Sequence, residues 1–326
     1  MTITTSPTTT QAIDAAGLTR SFGNVRAVEG VDLDVSPGAV FGLLGPDGAG
    51  KSTLIRMLAT VLPPDAGDAR VFGHSVSTAS KKVTPLIGYM SQRFSMYPDL
   101  TVAENLDFFA TIRGVPRRLR RERAASLLAG MGLDEFSGRQ AQSLSGGMKQ
   151  KLMLAATLMH EPDLLLLDEP TTGVDPVSRR EFWRILAGLH RAGKTVLVAT
   201  PYMDEAERCT AIAFMESGRI QQTGTPDAIK ALVPGTLVEI VAAEPRVAQW
   251  AVADLPGVAS THLLGDVVRV LWRGESDGVD QVRARLSSNR IPVEDVRVAT
   301  VDMETAFAYL AERPPTASAG ASEEAS

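Results

Sequence analysis

A glycine-rich segment has the residue types and the spacing of a phosphate-binding loop. It fits the pattern G-x-x-x-x-G-K-[ST] and consists of Gly45, Pro46, Asp47, Gly48, Ala49, Gly50, Lys51 and Ser52, with Thr53 directly after it. Glycines allow consecutive backbone N–H groups to surround phosphate oxygens without a side-chain clash. Lys51 can neutralise the β- and γ-phosphates of a nucleotide, and the Ser52 hydroxyl can bind Mg²⁺. The segment therefore predicts a nucleotide-binding site.

The residues on either side support this interpretation. The apolar run Val40–Leu44 precedes the segment and predicts a buried strand, and a helical pattern of apolar residues follows it. Such a helix would point the positive end of its dipole at the same anion. Asp47 is unusual, because a carboxylate beside a triphosphate costs Coulomb energy unless it is turned away or paired. We expect Asp47 to have a structural role.

Two adjacent acidic residues, Asp168 and Glu169, end the continuous apolar run Leu164–Leu167. The run predicts a strand buried on both faces, and ligands of open α/β sheets bind at the carboxyl ends of such strands. We expect Asp168 to help hold Mg²⁺. Glu169 would be the general base that polarises the attacking water, a role typically worth about 10²–10⁴-fold. The alternative is a strand followed by an acidic turn, which the nearby phosphate loop disfavours.

The segment LSGGMKQ at positions 144–150 resembles the signature motif of ABC ATPases. The order of motifs also matches that family: phosphate loop, Gln92, signature, DLLLLDEP and TTGVDP. The resemblance covers about residues 13–232. It implies an α/β P-loop NTPase core with a helical signature subdomain, and ATP and Mg²⁺ as ligands.

The start of the signature helix is a second predicted anion site. Ser145, Gly146 and Gly147 precede a helical pattern over Met148–Met159, so their N–H groups are available to an anion. The resemblance implies that they grip the γ-phosphate of ATP bound to an opposite subunit. Two ATP molecules would then lie in a head-to-tail homodimer or heterodimer.

Further roles follow only from the resemblance. Phe22 matches the aromatic residue that stacks on adenine, with a place in the apolar core as the alternative. Gln92 matches the glutamine that senses the γ-phosphate and Mg²⁺, and it is therefore a candidate catalytic residue and metal ligand. Asp175 matches an aspartate that crosses the dimer interface. A hydrophobic cluster after Gln92 suits a groove for a helix of a membrane partner, or alternatively a packed hinge; it consists of Phe94, Met96 and Tyr97.

The chain departs from the family pattern at Pro201, which occupies the position of the switch histidine. A proline ring has neither a hydrogen-bond donor nor an acceptor, so it cannot contact the γ-phosphate as an imidazole would. Two interpretations follow. Either hydrolysis continues, because the other catalytic elements are present, or the site hydrolyses slowly and pairs with a more active subunit.

Composition limits the class of protein. The 326 residues carry a formal net charge of -5, which disfavours a nucleic-acid-binding role. The single cysteine, Cys209, excludes an internal disulfide and suits a reducing compartment. No run approaches the roughly 18 apolar residues that span a bilayer. The N-terminus also lacks the pattern of a signal peptide, and we expect the chain not to cross a membrane itself.

The order of patterns predicts a domain organisation. Residues 1–12 and 314–326 are small and polar, and we expect disordered tails there. Residues 13–232 would form the ATPase domain with a largely parallel sheet, including a helix-rich part at about 93–154. Residues 235–313 have the order β-α-β-β-α-β and predict a small ferredoxin-like α+β module. A run of five arginines at 117–123 suggests an anionic partner or membrane surface, or a solvated helix face as the alternative.

The overall pattern, with one nucleotide-binding domain, the strings TTGVDP and YMDEAE and a small appended module, resembles the separate ATPase subunit of ABC exporters of the multidrug-resistance type. It would act at the cytoplasmic face of the cell membrane by binding a separate permease, and would power export of drugs, lipids or other hydrophobic compounds. The alternatives are a non-transport ABC ATPase and a slow-hydrolysing regulatory subunit.

Overall fold

The computed structural model describes residues 10–311, so residues 1–9 of the first predicted tail and all of the second, 314–326, lie outside the described residues. Ala12 is fully buried and its N–H donates to the carbonyl oxygen of Val35 (2.8 Å). The fold therefore begins before position 13, and Ala12 does not belong to a disordered tail. The chain divides into two compact units between Pro226 and Asp227, somewhat before position 235, where we expected the module to start.

The first unit contains ten strands and a set of helices around a large apolar core. The strands are β1 (Ile13–Phe22), β2 (Val25–Val35), β3 (Val40–Leu44), β4 (Ala66–Val71), β5 (His74–Ser75), β6 (Ile87–Met90), β7 (Leu164–Asp168), β8 (Thr195–Thr200), β9 (Ala211–Glu216) and β10 (Arg219–Gly224). The helices before the division are α1 (Lys51–Leu58), α2 (Ser80–Val83), α3 (Val102–Ile112), α4 (Arg117–Met131), α5 (Gly146–Leu158), α6 (Pro176–Arg191) and α7 (Met203–Ala206). A short helix, α8 (Pro226–Lys230), begins at the last residue of the first unit and continues into the second. Short 3₁₀ helices span Asp134–Phe136 and Ala141–Ser143.

A six-stranded sheet in the order β10-β9-β3-β8-β7-β6 positions the predicted motifs. Its strands run parallel except at the β9–β10 pair. Every residue of β3, β7 and β8 is buried, as expected for strands covered on both faces. Because the strands are parallel, the loop after β3 and the acidic pair at the end of β7 emerge at the same edge. The prediction of a largely parallel sheet is thus confirmed.

A four-stranded antiparallel sheet in the order β2-β1-β4-β5 was not predicted from the sequence. Strand β1 alternates buried and exposed positions irregularly, and its pairing with β2 contains register shifts. Such strands lack the continuous apolar run that reveals a buried strand. β1 ends at Phe22, so this sheet places that ring.

Three longer helices, α3, α4 and α5, fall largely within the stretch predicted to be helix-rich. Helix α3 begins with a capping box, in which the Thr101 hydroxyl accepts from the N–H of Glu104 and the Glu104 carboxylate accepts from Thr101. Helix α5 begins at Gly146, two residues before the predicted start. No helix within residues 10–311 has the length and hydropathy needed to span a bilayer.

The second unit has its own apolar core and an antiparallel sheet in the order β12-β13-β11-β14. Its elements are β11 (Thr236–Ala242), α9 (Pro245–Val252), β12 (Val258–Leu264), β13 (Val267–Trp272), α10 (Gly278–Ser288), β14 (Val293–Ala299) and α11 (Met303–Ala311). The first six elements follow the predicted order β-α-β-β-α-β, and the predicted closing helix follows them. This second unit is called the C-terminal module below.

Candidate functional site

The glycine-rich segment forms a tight loop between β3 and α1. Gly45 and Gly50 have φ angles of 155° and 104°. A Cβ atom at Gly45 would lie 2.0 Å from the carbonyl oxygen of Met215, and one at Gly50 would lie 2.1 Å from that of Ala27. Both positions therefore require glycine for the loop to pack on its neighbours. Asp47 is exposed on this loop.

Lys51, the first residue of α1, is 3% exposed and folds back over the loop. Its ammonium nitrogen donates hydrogen bonds to the carbonyl oxygens of Gly45 (2.8 Å) and Pro46 (2.9 Å). It also lies 3.7 Å from Oε1 of Glu169. Burial lowers the pKa of Lys51 below its ordinary value. The carboxylate of Glu169 and other acidic neighbours oppose this shift but do not cancel it. A buried cation is thus held beside the loop mainly by backbone carbonyls.

Ser52 and Asp168 bring two oxygen ligands together. The Ser52 hydroxyl donates to Oδ1 of Asp168 (2.7 Å), and Asp168 is fully buried. Its other oxygen, Oδ2, accepts no hydrogen bond from any described residue. Burial raises the pKa of Asp168. A buried carboxylate oxygen without a donor is costly, and a cation would relieve that cost.

The chemistry of this pair fits Mg²⁺, which prefers hydroxyl and carboxylate oxygens. Within the described residues, no group of three or more His, Cys, Asp or Glu side chains is arranged to hold a metal. Mg²⁺ is usually bound by one or two protein ligands that are supplemented by water and substrate phosphates.

Glu169 is held in a specific orientation. Its φ angle is 49°, a left-handed conformation that is uncommon for a residue with a side chain, and its N–H donates to the carbonyl oxygen of Ala199 (3.0 Å). Its carboxylate Oε2 accepts hydrogen bonds from Nε2 of Gln92 (2.8 Å) and from the hydroxyl of Thr172 (3.2 Å). The two predicted catalytic residues Gln92 and Glu169 therefore lie in direct contact. The role of Gln92 as a metal ligand stays a prediction.

A cavity of about 250 Å³ joins the loop to Phe22. Its lining consists of Phe22, Ala27, Gly48, Ala49, Gly50, Lys51, Ser52, Thr53 and Glu169. The Phe22 ring is 49% exposed, so it does not belong to the apolar core, and the alternative of a core role is wrong. The guanidinium carbon of Arg20 lies 5.2 Å from the centre of the ring. An exposed aromatic face thus borders the same cavity as the phosphate-loop residues.

The signature residues do not line this cavity. Ser145 is the N-cap of α5, and its hydroxyl accepts from the N–H of Met148 (3.3 Å). Ser145 and Gly146 are exposed, whereas Gly147 is buried and a Cβ atom there would lie 2.5 Å from the side chain of Ser178. Gly147 thus allows α5 and α6 to pack closely. The exposed N-terminus of α5 remains available to an anion from outside this unit.

Asp175 has a role within the chain. It is the exposed N-cap of α6, and its carboxylate accepts hydrogen bonds from the N–H groups of Val177 and Ser178 (both 3.0 Å). These bonds lower the pKa of Asp175. Its predicted place in a dimer interface stays a prediction.

The hydrophobic cluster after Gln92 is fixed by a buried amide. Asn105 is fully buried, accepts from the N–H of Tyr97 (2.9 Å), and donates to the carbonyl oxygens of Tyr97, Leu100 and Thr101. Met96 is buried and the Tyr97 ring is 47% exposed. The ammonium group of Lys149 lies 5.5 Å from the centre of the Phe94 ring. The cluster therefore combines packed and exposed side chains.

A buried ionic network that the sequence did not reveal lies close to Pro201. Glu205 is fully buried and accepts from the Thr171 hydroxyl and from Nε of Arg179 (both 2.7 Å). Arg179 also donates to Asp204 (2.6 Å). The network thus connects the turn after Glu169 with α6 and α7. No local pattern in the segment YMDEAE distinguishes the buried Glu205 from the acidic residues beside it.

Comparisons with known proteins agree with this geometry. A family model described as ABC transporter matches residues 28–172. The daunorubicin/doxorubicin resistance ATP-binding protein DrrA of Streptomyces peucetius is 44% identical over 232 residues, which are 71% of this chain and 70% of that protein. Daunorubicin resistance ATP-binding protein DrrA3 of Streptomyces coeruleorubidus is 36% identical over 304 residues, 92% of this chain and 95% of that protein.

Two further comparisons cover different shares of the proteins compared. The probable multidrug ABC transporter ATP-binding protein YbhF of Escherichia coli is 44% identical over 67% of this chain, but the match spans only 38% of YbhF. A solved dimeric structure of the ATP-binding cassette MJ0796 with ADP and phosphate has a TM-score of 0.60 and 25% identity, and covers 65% of this chain and 98% of that one. With relatives of this identity and coverage, the chain belongs to the ABC transporter ATP-binding family.

Proposed function

We propose that this chain binds ATP with Mg²⁺, hydrolyses it with Glu169 as general base, and thereby powers a separate membrane permease. The observation that carries this proposal is the arrangement of Glu169. Gln92 and Thr172 both donate to its Oε2, and its Oε1 lies 3.7 Å from the ammonium nitrogen of Lys51 at the loop cavity. A carboxylate oriented in this way beside a phosphate loop can accept a proton from an attacking water.

Each part of the site supports one task. The exposed face of Phe22 is suited to stacking on a base, and the N–H groups and glycines of the loop are suited to phosphate oxygens. Lys51 would exchange its two backbone carbonyls for the phosphates, since they supply full negative charges in place of dipoles. Ser52 and Asp168 would hold Mg²⁺. The chemistry that the bound ion supplies is neutralisation of charge on the phosphates.

Dimerisation would complete the site. Ser145 and Gly146 present an exposed helix N-terminus, and neither residue lines the cavity that contains the loop. A second subunit in head-to-tail orientation could place this N-terminus against the γ-phosphate.

The names of relatives support transport: DrrA is a drug-resistance protein, and Nod factor export ATP-binding protein I of Rhizobium sp. (strain N33) is 40% identical over 72% of this chain. We therefore infer export of a hydrophobic compound as the process that is powered.

A slow-hydrolysing subunit is the second candidate, and Pro201 is the observation that favours it. Pro201 follows β8 directly, and the residue after it, Tyr202, has its N–H bonded to the Thr200 hydroxyl (3.1 Å) and its ring 4.1 Å from the guanidinium carbon of Arg179. Both neighbours of Pro201 are thus engaged in contacts within the chain.

Steady-state phosphate release by the purified chain and by the Glu169→Gln variant tests hydrolysis. We expect a reduction of about 10²–10⁴-fold in the variant, with binding of a fluorescent ATP analogue retained. Lys51→Ala should instead lose nucleotide binding. Equal rates near background for wild type and Glu169→Gln would contradict hydrolysis and leave the slow-hydrolysing alternative.

Recovery from membranes tests the partner. Tagged full-length chain, and a variant without residues 235–313, would be isolated from detergent extracts of the source membranes, and bound proteins identified. A co-purifying multi-span membrane protein supports a permease partner. Recovery with ribosomes alone would contradict it.

A further inference from the structure

Helix α4 begins with a dense group of basic residues. Its first seven residues, RRLRRER, contain five arginines and one glutamate, although the chain as a whole carries a net charge of -5. The group consists of Arg117, Arg118, Arg120, Arg121 and Arg123, and none of the steps proposed for ATP uses it. It is a local concentration of positive charge on an acidic protein.

Contacts divide these arginines into two sets. Arg120 donates to the carbonyl oxygen of Val115 (2.8 Å) and to the Thr111 hydroxyl, and Arg123 donates to the carboxylate of Glu161 (2.5 Å). These two residues fasten α4 to its surroundings. The other three, which we call the free arginine set, are exposed and have no hydrogen bond or ion pair with any of the residues 10–311: Arg117, Arg118 and Arg121.

The position of the free arginine set is unfavourable for an isolated helix. The N-cap, Pro116, supplies no side-chain hydrogen bond, and no acidic residue lies in the first turn of α4. The N-terminus of a helix already carries partial positive charge, so cations there repel it and anions stabilise it. Helix stability therefore gives no reason for this arrangement, whereas an external anion would relieve the repulsion.

A cavity of about 670 Å³ next to these arginines adds a second feature. Its lining includes Arg117 and Arg121, and also a group of small or apolar side chains: Ala103, Ala124, Ala125 and Leu128. Asp107 and Asp134 also border it, and Asp107 lies 3.5 Å from Arg120 in an ion pair. Cationic groups at an apolar concavity suit a ligand that joins an anionic group to a hydrocarbon chain.

We propose that the start of α4 binds acidic phospholipids at a bilayer surface. The phosphate groups would contact the free arginine set, and hydrocarbon would lie against the alanines and Leu128. Charge complementarity carries the choice of a lipid surface, because guanidinium groups bind phosphate in paired hydrogen bonds. The proposal is consistent with a permease partner but does not depend on ATP hydrolysis.

The expected effect follows from surface electrostatics. Each arginine near an anionic bilayer contributes about fivefold in affinity, so removing three should weaken binding about 10²-fold. Binding should also weaken when salt is raised, because exposed charges are screened.

Co-sedimentation with vesicles tests the proposal. The full chain would be mixed with vesicles of phosphatidylcholine alone and with vesicles containing phosphatidylglycerol. The test variant is Arg117→Gln/Arg118→Gln/Arg121→Gln, which leaves Arg120 and Arg123 in place. The control is Arg180→Gln/Arg184→Gln/Arg191→Gln, because these arginines are also exposed, lie on the single helix α6, and give the same change of net charge.

We expect wild type and control to bind only the vesicles that contain phosphatidylglycerol, and the test variant to lose about 10²-fold of that binding. Phosphate release by the test variant should equal that of wild type, so failure of this proposal is distinguishable from failure of the proposed ATPase. Equal losses in test variant and control would show a net-charge effect alone and overturn the proposal. Retained binding in the test variant, or equal binding to phosphatidylcholine, would also overturn it.

Discussion

Two charged clusters, one in each unit of the chain, contain similar groups but differ in how those groups are buried and paired. In the nucleotide site, Asp168 is fully buried with one carboxylate oxygen that no described residue contacts by a hydrogen bond. The neighbouring cation, Lys51, donates its two short hydrogen bonds to backbone carbonyls, and its carboxylate neighbour is 3.7 Å away. This cluster has unused capacity for a ligand.

In the C-terminal module the corresponding groups are paired with one another. Glu239 accepts from Nε of Arg269 (3.2 Å) and from Nη2 of Arg297 (3.1 Å). Arg269 continues to Asp302 (2.7 Å) and to the Thr305 hydroxyl (3.1 Å). Every charge in this cluster has a partner within the module.

The pKa shifts show the same difference. Burial raises the pKa of Asp168, and its hydrogen bond from Ser52 does not compensate. Burial also acts to raise the pKa of Asp302, but hydrogen bonds from Thr305 and Arg269 outweigh it and lower that pKa. In a binding site, a buried charge without a partner in the chain lowers stability until a ligand binds. In a structural network, partners in the chain stabilise each charge as the protein folds.

The largest expected effect comes from neutralising Asp168. We expect Asp168→Asn to reduce phosphate release by about 10²–10³-fold, the range for loss of one preorganised electrostatic group. The free energy of unfolding without nucleotide should change by less than about 0.5 kcal/mol or increase, because a buried charge is removed. Phosphate release and urea unfolding of the nucleotide-free protein measure both effects.

Asp163→Asn is the matched control. Asp163 directly precedes β7, at the opposite end from Asp168, and it is largely exposed and 3.4 Å from Lys194. We expect both measurements to stay near wild type. The comparison would fail if Asp168→Asn destabilised the protein by more than about 2 kcal/mol while hydrolysis continued.

The second prediction concerns the module network. Glu239→Gln removes the carboxylate charge that Arg269 and Arg297 share, so that Arg269 keeps only Asp302 as an acidic partner, and we expect a loss of about 1–3 kcal/mol in the free energy of unfolding of the module. Phosphate release should change less than about twofold, because substitutions at sites that share no contacts act independently. Tryptophan fluorescence can follow unfolding of the module in a Trp183→Phe background, because the two remaining tryptophans, Trp250 and Trp272, both lie in the module.

Asp295→Asn serves as the control here. Its carboxylate lies 3.4 Å from Arg297 between two partly exposed side chains, and such pairs contribute about 0–1 kcal/mol. If Glu239→Gln were no more destabilising than Asp295→Asn, the module network would have no structural role of the kind described.

The sequence predicted the elements of the candidate nucleotide site better than the elements around them. The loop, β3, β7 and the pair Asp168 and Glu169 were found because each depends on a short segment: glycine spacing, or an apolar run that ends in acids. Phe22 could be assigned to the site only through the family resemblance, because β1 lies in an antiparallel sheet whose strands are half-exposed and irregularly paired.

Contacts between segments far apart in the chain could not be predicted from the sequence. Thr172 and Gln92 meet at Glu169 although 80 positions separate the two donors, and Glu205 meets Thr171 across 34 positions. No local pattern fixes such pairs, since they depend on which strands and turns come together. The module was predictable as an order of elements, but its ionic network was not.

The third prediction concerns the position where the nucleotide site lacks a donor. Pro201→His would supply an imidazole N–H at the end of β8, and a hydrogen bond to a charged phosphate is worth about 1.5–3 kcal/mol. We expect phosphate release to rise about tenfold, an increase that Pro201→Ala should not show because alanine adds no side-chain donor. An unchanged rate in Pro201→His would indicate that the segment after β8 does not reach the γ-phosphate.

The smallest expected effect is on the pH dependence of stability, to which Asp168 and Asp302 should contribute with opposite signs. The folded-state pKa of Asp168 is raised above its ordinary 3.8, so its contribution to stability is fully present below about pH 3.8 and is lost as pH rises through the folded pKa. The folded-state pKa of Asp302 is lowered, so its contribution is present above that ordinary value and is lost as pH falls through the folded pKa.

Urea unfolding of wild type, Asp168→Asn and Asp302→Asn between about pH 3 and pH 8 measures these contributions as differences from wild type. The stability of wild type relative to Asp168→Asn should fall with rising pH, and that relative to Asp302→Asn should fall with decreasing pH. Opposite slopes would show that burial dominates the titration of Asp168 whereas pairing dominates that of Asp302. Parallel slopes would remove that distinction, because both carboxylates would then respond to burial or to pairing in the same way.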